Sequence, residues 1–230
     1  MATVITEAGT TMMLPESFNS LESFRDWVHS DARPDRGQFT YIRGGFEADM
    51  SPERISGHNE IKAALYARIG HFVEEHQLGK FFPDGAMLIN DDADLGCEPD
   101  MMFCTSETLR SGRVTYRAWH RDEEGDVELY GTPDMVAEVV SNSSVRKDTV
   151  ELRQAYFKAG IAEYWLIDGR GEEIEFELLV RGETSFVGTT PDVDGYRYSP
   201  TFGHSYRFIR EADPIVGWQC RLLARSEDAS

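Results

Sequence analysis

Residues 131–168, GTPDMVAEVVSNSSVRKDTVELRQAYFKAGIAEYWLID, constrain the fold of this chain more than any other stretch. They read as strand, turn, helix, strand. Asp134, Val136, Glu138 and Val140 stand two residues apart, so a strand turns all four to one face and leaves Met135, Ala137 and Val139 on an apolar opposite face. Ser141-Asn142-Ser143-Ser144 supply turn and N-cap chemistry. Val145, Leu152, Ala155, Tyr156 and Ala159 follow at roughly helical spacing, and Gly160 suits the position just past a helix end. Tyr164-Trp165-Leu166-Ile167 is a short apolar strand that stops at Asp168-Gly169. A strand–helix–strand of this length predicts a parallel crossover with both strands inside the sheet. Carboxylates are rarely buried without a partner, so Glu138 in the middle of PDMVAEVV demands a functional explanation. Asp134, at the strand start, can equally cap a turn.

The rest of the chain is arranged around this unit. Residues 1–34 read as a loosely held tail over 1–16 and a short amphipathic helix over 20–29, with Leu21, Phe24, Trp27 and Val28 on its apolar face. Residues 38–50 predict a hairpin turning at Gly44-Gly45. A stronger helix over 58–77 carries Ile61, Leu65, Ile69, Phe72 and Val73 on one face. Strands are expected at 86–89 and, after the acidic turn 90–94, at 97–104, where Glu98, Asp100, Met102 and Cys104 share a face. Residues 105–130 form a charged excursion containing Arg110, Arg113, Arg117, His120 and Arg121. Antiparallel strands follow from 173 to 209, residues 218–223 pack the C-terminus, and 225–230 fray. One main domain over 35–224 results.

Charge is the awkward fact. A formal charge of −18 should repel nucleic acid at long range unless basic residues cluster or metal ions neutralise the site. Cys97, Cys104 and Cys220 form no CxxC pair, which fits reduced thiols in the cytoplasm. No apolar run approaches a membrane span, and the N-terminal stretch lacks the pattern of a signal peptide.

Several motifs then stand in a telling order: His58 and Glu60 at the start of the first core helix, Pro99-Asp100, PDMVAEVVS at 133–141, Asp148 with the helix behind it, and GIAEYWLID at 160–168. Over about residues 35–210 this resembles the PD-(D/E)xK nuclease superfamily, and within it the Uma2 group of bacterial endonuclease-like proteins. The resemblance implies an α/β restriction-endonuclease-like core (helix, three strands, helix, strand) with added antiparallel strands. It also implies a Mg²⁺- or Mn²⁺-dependent endonuclease acting on DNA, with Asp100 and Glu138 as metal ligands and Glu60 in the catalytic set, to which the position of Lys147 near the start of the next helix adds a fourth candidate. His58, Asp134, Asp148 and Arg153 are supporting candidates. The superfamily's lysine two residues beyond the strand carboxylate is Val140 here, and the lysine that many relatives in the group carry on the next helix is Leu152. Lys147 is the candidate replacement and Arg153 the second. The ordinary readings stay open: a helix-dipole partner for Asp148, a first-turn glutamate for Glu60, an incidental histidine for His58. Two alternatives remain, a catalytically degenerate binding module and a hydrolase of a smaller phosphate ester. Arginines 110, 113, 117 and 121 lining the cleft would favour nucleic acid. A homodimer is left open.

Overall fold

The computed structural model describes residues 2–5, 11–52, 54–118 and 128–226. Strands β1 (Ala2–Ile5) and β2 (Thr11–Leu14) pair antiparallel where the sequence predicts a loose tail. Helix α1 (Leu21–Val28) begins with a capping box between Ser20 and Ser23. The hairpin β3 (Gln38–Ile42) and β4 (Gly45–Asp49) turns at Arg43-Gly44, one residue before the Gly44-Gly45 turn that the sequence predicts; the φ angles of 48° and 83° are both left-handed, as a two-residue hairpin loop requires. Helix α2 spans 55–75 and alternates π-helical turns (Ile55–Asn59, Tyr66–Gly70) with α-helical ones (Glu60–Leu65, His71–Glu75).

Next come β5 (Gly79–Pro83), β6 (Met87–Asn90), β7 (Leu95–Cys97), β8 (Met101–Thr105), the short α3 (Ser106–Arg110), β9 (Val114–Arg117) and β10 (Glu128–Gly131). Strand β11 (Met135–Val139) leads to α4 over 147–158, which is π-helical across Lys147–Leu152 and α-helical across Arg153–Lys158. Strands β12 (Glu163–Asp168), β13 (Glu175–Arg181), β14 (Phe186–Gly188), β15 (Arg197–Ser199), β16 (His204–Asp213) and β17 (Gly217–Ser226) complete the described residues. Arg225 and Ser226, expected to fray, instead pair with Ser205 and His204 at the end of β17. His120 and Arg121 lie outside the described residues.

The central sheet has the order β14-β13-β12-β11-β8-β5, and β11 and β12 are its parallel pair. Met135, Ala137 and Val139 pack with Ile61, Leu65 and Ile69 of α2 on one face, while Val136 and Val140 pack with Leu152, Ala155 and Tyr156 of α4 on the other. The alternation read in residues 134–140 is therefore the two-sided burial of an interior strand. The core is α2, the antiparallel strands β5, β8 and β11, then α4 and parallel β12: an α/β restriction-endonuclease-like fold with added antiparallel strands.

Two strand assignments change. The first core strand is β5, GKFFP, whose short run shows no period-2 alternation. The predicted strand 97–104 is split, because Pro99 has no N–H to continue a ladder. β7 belongs to a second sheet, β4-β3-β7-β6-β10-β9, and β8 to the central one. The chain crosses between the sheets at Glu98-Pro99-Asp100. On one side the second sheet packs α1 through Phe24, Phe39 and Tyr41; on the other, Leu88, Leu95 and Cys97 join the cluster beneath α4. The β16–β17 hairpin covers α2 and β12 through Tyr206, Phe208 and Leu222. Among the described residues no helix is long and apolar enough to cross a membrane.

Candidate active site

The crossover at Pro99 sets the site. β8 and β11 run antiparallel with Met101 opposite Ala137, so Asp100 and Glu138 meet just past the end of the pairing. Both line a cleft of about 1050 Å³ between the central sheet, the start of α2 and the 141–144 turn. Both are buried: Asp100 is 3% exposed and Glu138 5%.

Each carboxylate is held. Oδ2 of Asp100 accepts the Val139 N–H at 2.6 Å, and its Oδ1 lies 2.7 Å from the Lys62 ammonium. Lys62 Nζ also sits 2.7 Å from Oδ2 of Asp84. The Tyr66 hydroxyl donates to the Asp100 carbonyl at 2.7 Å and accepts the Asp84 N–H at 3.3 Å. Glu138 Oε1 accepts the hydroxyl hydrogen of Tyr156 from α4. Asp148, in the first turn of α4, accepts the Ser144 hydroxyl at Oδ2, while its buried Oδ1 has no hydrogen-bond partner. The Lys147 ammonium stands 3.7 Å from that Oδ1.

Crowding of charge moves the titrations. Burial pushes Glu138 well above the usual carboxylate range, and Asp100 and Asp148 push it further, against Lys147 and the Tyr156 hydrogen bond. Burial also raises Asp148, to about 7, although Lys147 and Ser144 oppose the shift. For the two lysines burial works the other way, yet neighbouring carboxylates more than reverse it: Asp100 and Asp84 for Lys62, Asp148 and Glu138 for Lys147. Both stay ammonium ions.

This donor set suits a hard cation. Three carboxylates (Asp100, Glu138, Asp148) share the cleft, one with an unsatisfied buried oxygen. Among the described residues no three His, Cys, Asp or Glu side chains are disposed to hold an ion by themselves. One or two carboxylates, with water and substrate oxygens completing the shell, is the usual arrangement for a magnesium-type ion rather than for zinc. Asp100 and Glu138 would hold it.

Of the residues singled out from the sequence, His58, Glu60, Asp100, Glu138, Lys147 and Asp148 all line this cleft. Glu60 reaches Sγ of Cys220 at 3.8 Å. Two candidates are elsewhere. Asp134 sits at the opposite end of β11, where it accepts the Thr105 N–H at 2.6 Å and pairs with Arg113. Arg153 points away, toward Glu177 at 3.8 Å and the Phe186 carbonyl at 3.3 Å, because it lies about 100° round the helix from the buried Leu152. Val140 and Leu152 are core residues, so neither lysine position carries charge.

Among the described residues, the arginines of the excursion do not line the cleft either. Arg110 pairs with Glu107, Arg113 with Asp134, and Arg117 lies over the Tyr130 ring; Arg121 is outside the described residues. The cleft is bordered by other cations, Arg54, Arg170 and Arg210. Arg170 pairs with Asp168 at 2.6 Å, and Arg210 donates to the Gly169 and Gly171 carbonyls.

Sequence reasoning missed Lys62, Asp84 and the polar role of Tyr156. Lys62 looks like a surface lysine beside an apolar stripe, Pro83-Asp84-Gly85 reads as turn chemistry, and Tyr156 falls on the apolar face of its helix.

An antiparallel meander closed by a helix and a parallel strand, with acidic residues at the strand ends, defines the restriction-endonuclease-like class. A family model described as "Putative restriction endonuclease", Uma2, matches residues 21–206. The chain belongs to the Uma2 family. Its fold is similar to a crystal structure titled a putative nuclease belonging to DUF820 from Anabaena variabilis. That match has 17% identity and a TM-score of 0.56, and covers 80% of this chain and 90% of that one. No curated protein matches the chain.

Proposed function

We propose that this chain is a divalent-metal-dependent endonuclease that hydrolyses phosphodiester bonds in DNA. The observation that carries the reading is that buried Asp100, just ahead of β8, and buried Glu138 on β11 come together at one cleft. Mg²⁺ or Mn²⁺ bound there supplies a water of lowered pKa and countercharge for the phosphorane.

The chain's own groups do the rest. Val139 N–H and Lys62 orient Asp100, and Tyr156 orients Glu138. The Lys147 ammonium offers positive charge beside the carboxylates, in place of the lysines replaced by Val140 and Leu152. Asp148, raised to about 7, is poised to exchange a proton near neutral pH. Arg54, Arg170 and Arg210 at the cleft give an otherwise acidic chain local contacts for phosphate. Three free cysteines, two of them buried, suit a reducing cytoplasm.

A non-catalytic binding module is the second reading, favoured by the apolar burial of Val140 and Leu152. Incubating the protein with single- and double-stranded DNA in Mg²⁺, Mn²⁺ or EDTA decides between them. Metal-dependent cleavage that Glu138→Gln abolishes is expected. Absence of cleavage in both metals moves the binding module ahead.

A further inference from the structure

We propose that Lys62 is a built-in cation: its ammonium fills the place between Asp84 and Asp100 that a second divalent ion would take, so that the site binds a single ion. This rests on the metal-dependent reading above.

The geometry is specific. Nζ lies 2.7 Å from Oδ1 of Asp100 and 2.7 Å from Oδ2 of Asp84. The lysine side chain is 5% exposed, so solvent does not compete for the ammonium. Asp84 and Asp100 line the cleft, whereas Lys62 comes from α2 behind them. Two carboxylates converging on one point are what an oxygen-preferring divalent ion seeks. Here the point already holds a positive charge, and an incoming ion would meet a buried like charge with little screening. One lone-pair side of Asp100 faces the lysine and the other oxygen takes the Val139 N–H, leaving the remaining lone pairs for one ion shared with Glu138.

Lys62 does not set this placement alone. The Tyr66 hydroxyl bridges the Asp84 N–H and the Asp100 carbonyl, so the two backbone segments stay pinned when the lysine is changed. Lys62 is thus a positioning residue. It fixes the Asp100 rotamer and sets how many ions the cleft accepts.

The test counts Mn²⁺ ions on the EDTA-treated full chain by titration calorimetry and by electron paramagnetic resonance of the free ion. Wild type should bind one ion per chain. Lys62→Met should bind two, Lys62→Met/Asp84→Asn should return to one, and Lys62→Arg should behave as wild type. Circular dichroism checks that each variant folds, and Lys62→Gln replaces Lys62→Met if the latter does not. Two ions on the wild type overturn the proposal whichever variants fold, as does a folded Lys62→Met or Lys62→Gln that still binds one. A wild type that binds none, and cleaves nothing, removes the metal-dependent reading itself and the proposal with it.

Discussion

The Tyr156 hydroxyl of α4 donates its hydrogen to Oε1 of Glu138 on β11, so the crossover helix reaches the site carboxylate through a buried polar contact. Tyr156→Phe leaves Glu138 buried without that donor. A loss of about 1–3 kcal/mol in stability is expected, measurable by urea unfolding. The same bond holds the Glu138 pKa down, so its removal should move Mn²⁺ binding to higher pH. An unchanged pH profile of Mn²⁺ affinity would detach Tyr156 from the site.

Stability of the metal-free chain should fall as pH rises. Asp148 titrates near 7 in the folded state against an ordinary 3.8, and burial raises Glu138 in the same direction. Between those values the folded chain keeps a proton that the unfolded chain has lost, so folding is favoured at the acid end of the window. Melting in EDTA should therefore drop from about pH 5 to pH 8. Asp148→Asn should flatten the curve. Mg²⁺ should restore stability at neutral pH, by roughly 2.7 kcal/mol at a hundred times its Kd. A melting temperature that climbs over this range in EDTA contradicts the assignment.

Lys147→Ala should lower DNA cleavage by roughly 10²-fold or more, the scale on which one transition-state donor acts, while Mn²⁺ still binds. Arg153→Ala should leave turnover as it is, since Arg153 faces Glu177 outside the cleft. Equal activity in all three proteins would show that Lys147 serves folding alone.

Asp134 is predicted to be structural. Asp134→Ala removes the acceptor for the Thr105 N–H and the partner of Arg113. Unfolding should become easier by about 1–2 kcal/mol, mostly from the orphaned N–H, because the half-exposed arginine adds little. Cleavage by the folded variant should match wild type. A drop in turnover without a drop in stability would return Asp134 to the site.

Much of the core was legible in the sequence. The alternation of residues 134–140 foretold two buried faces, and the spacing of Leu152, Ala155, Tyr156 and Ala159 foretold the helix that covers one of them. Glu138 stood out because a carboxylate in an apolar run has a cost that local structure cannot relieve. Strand β5 was not legible, since five residues ending in proline show no period, and neither was the split at Pro99 that sends β7 and β8 to different sheets.

By itself the sequence determined what nearest neighbours along the chain decide: the faces of β11 and α4, the hairpin within residues 38–50, and Glu138 as a carboxylate inside an apolar strand. Tertiary structure alone decided which charges meet. Lys62 and Asp100 are brought together by the packing of α2 against the sheet, Lys147 reaches the cleft while Arg153 does not, and Asp134 is turned over to Arg113. The physical reason is range. Hydrophobic periodicity is read within a few residues, whereas the energy of a buried charge depends on partners far along the chain that only the folded sheet brings within a few ångströms.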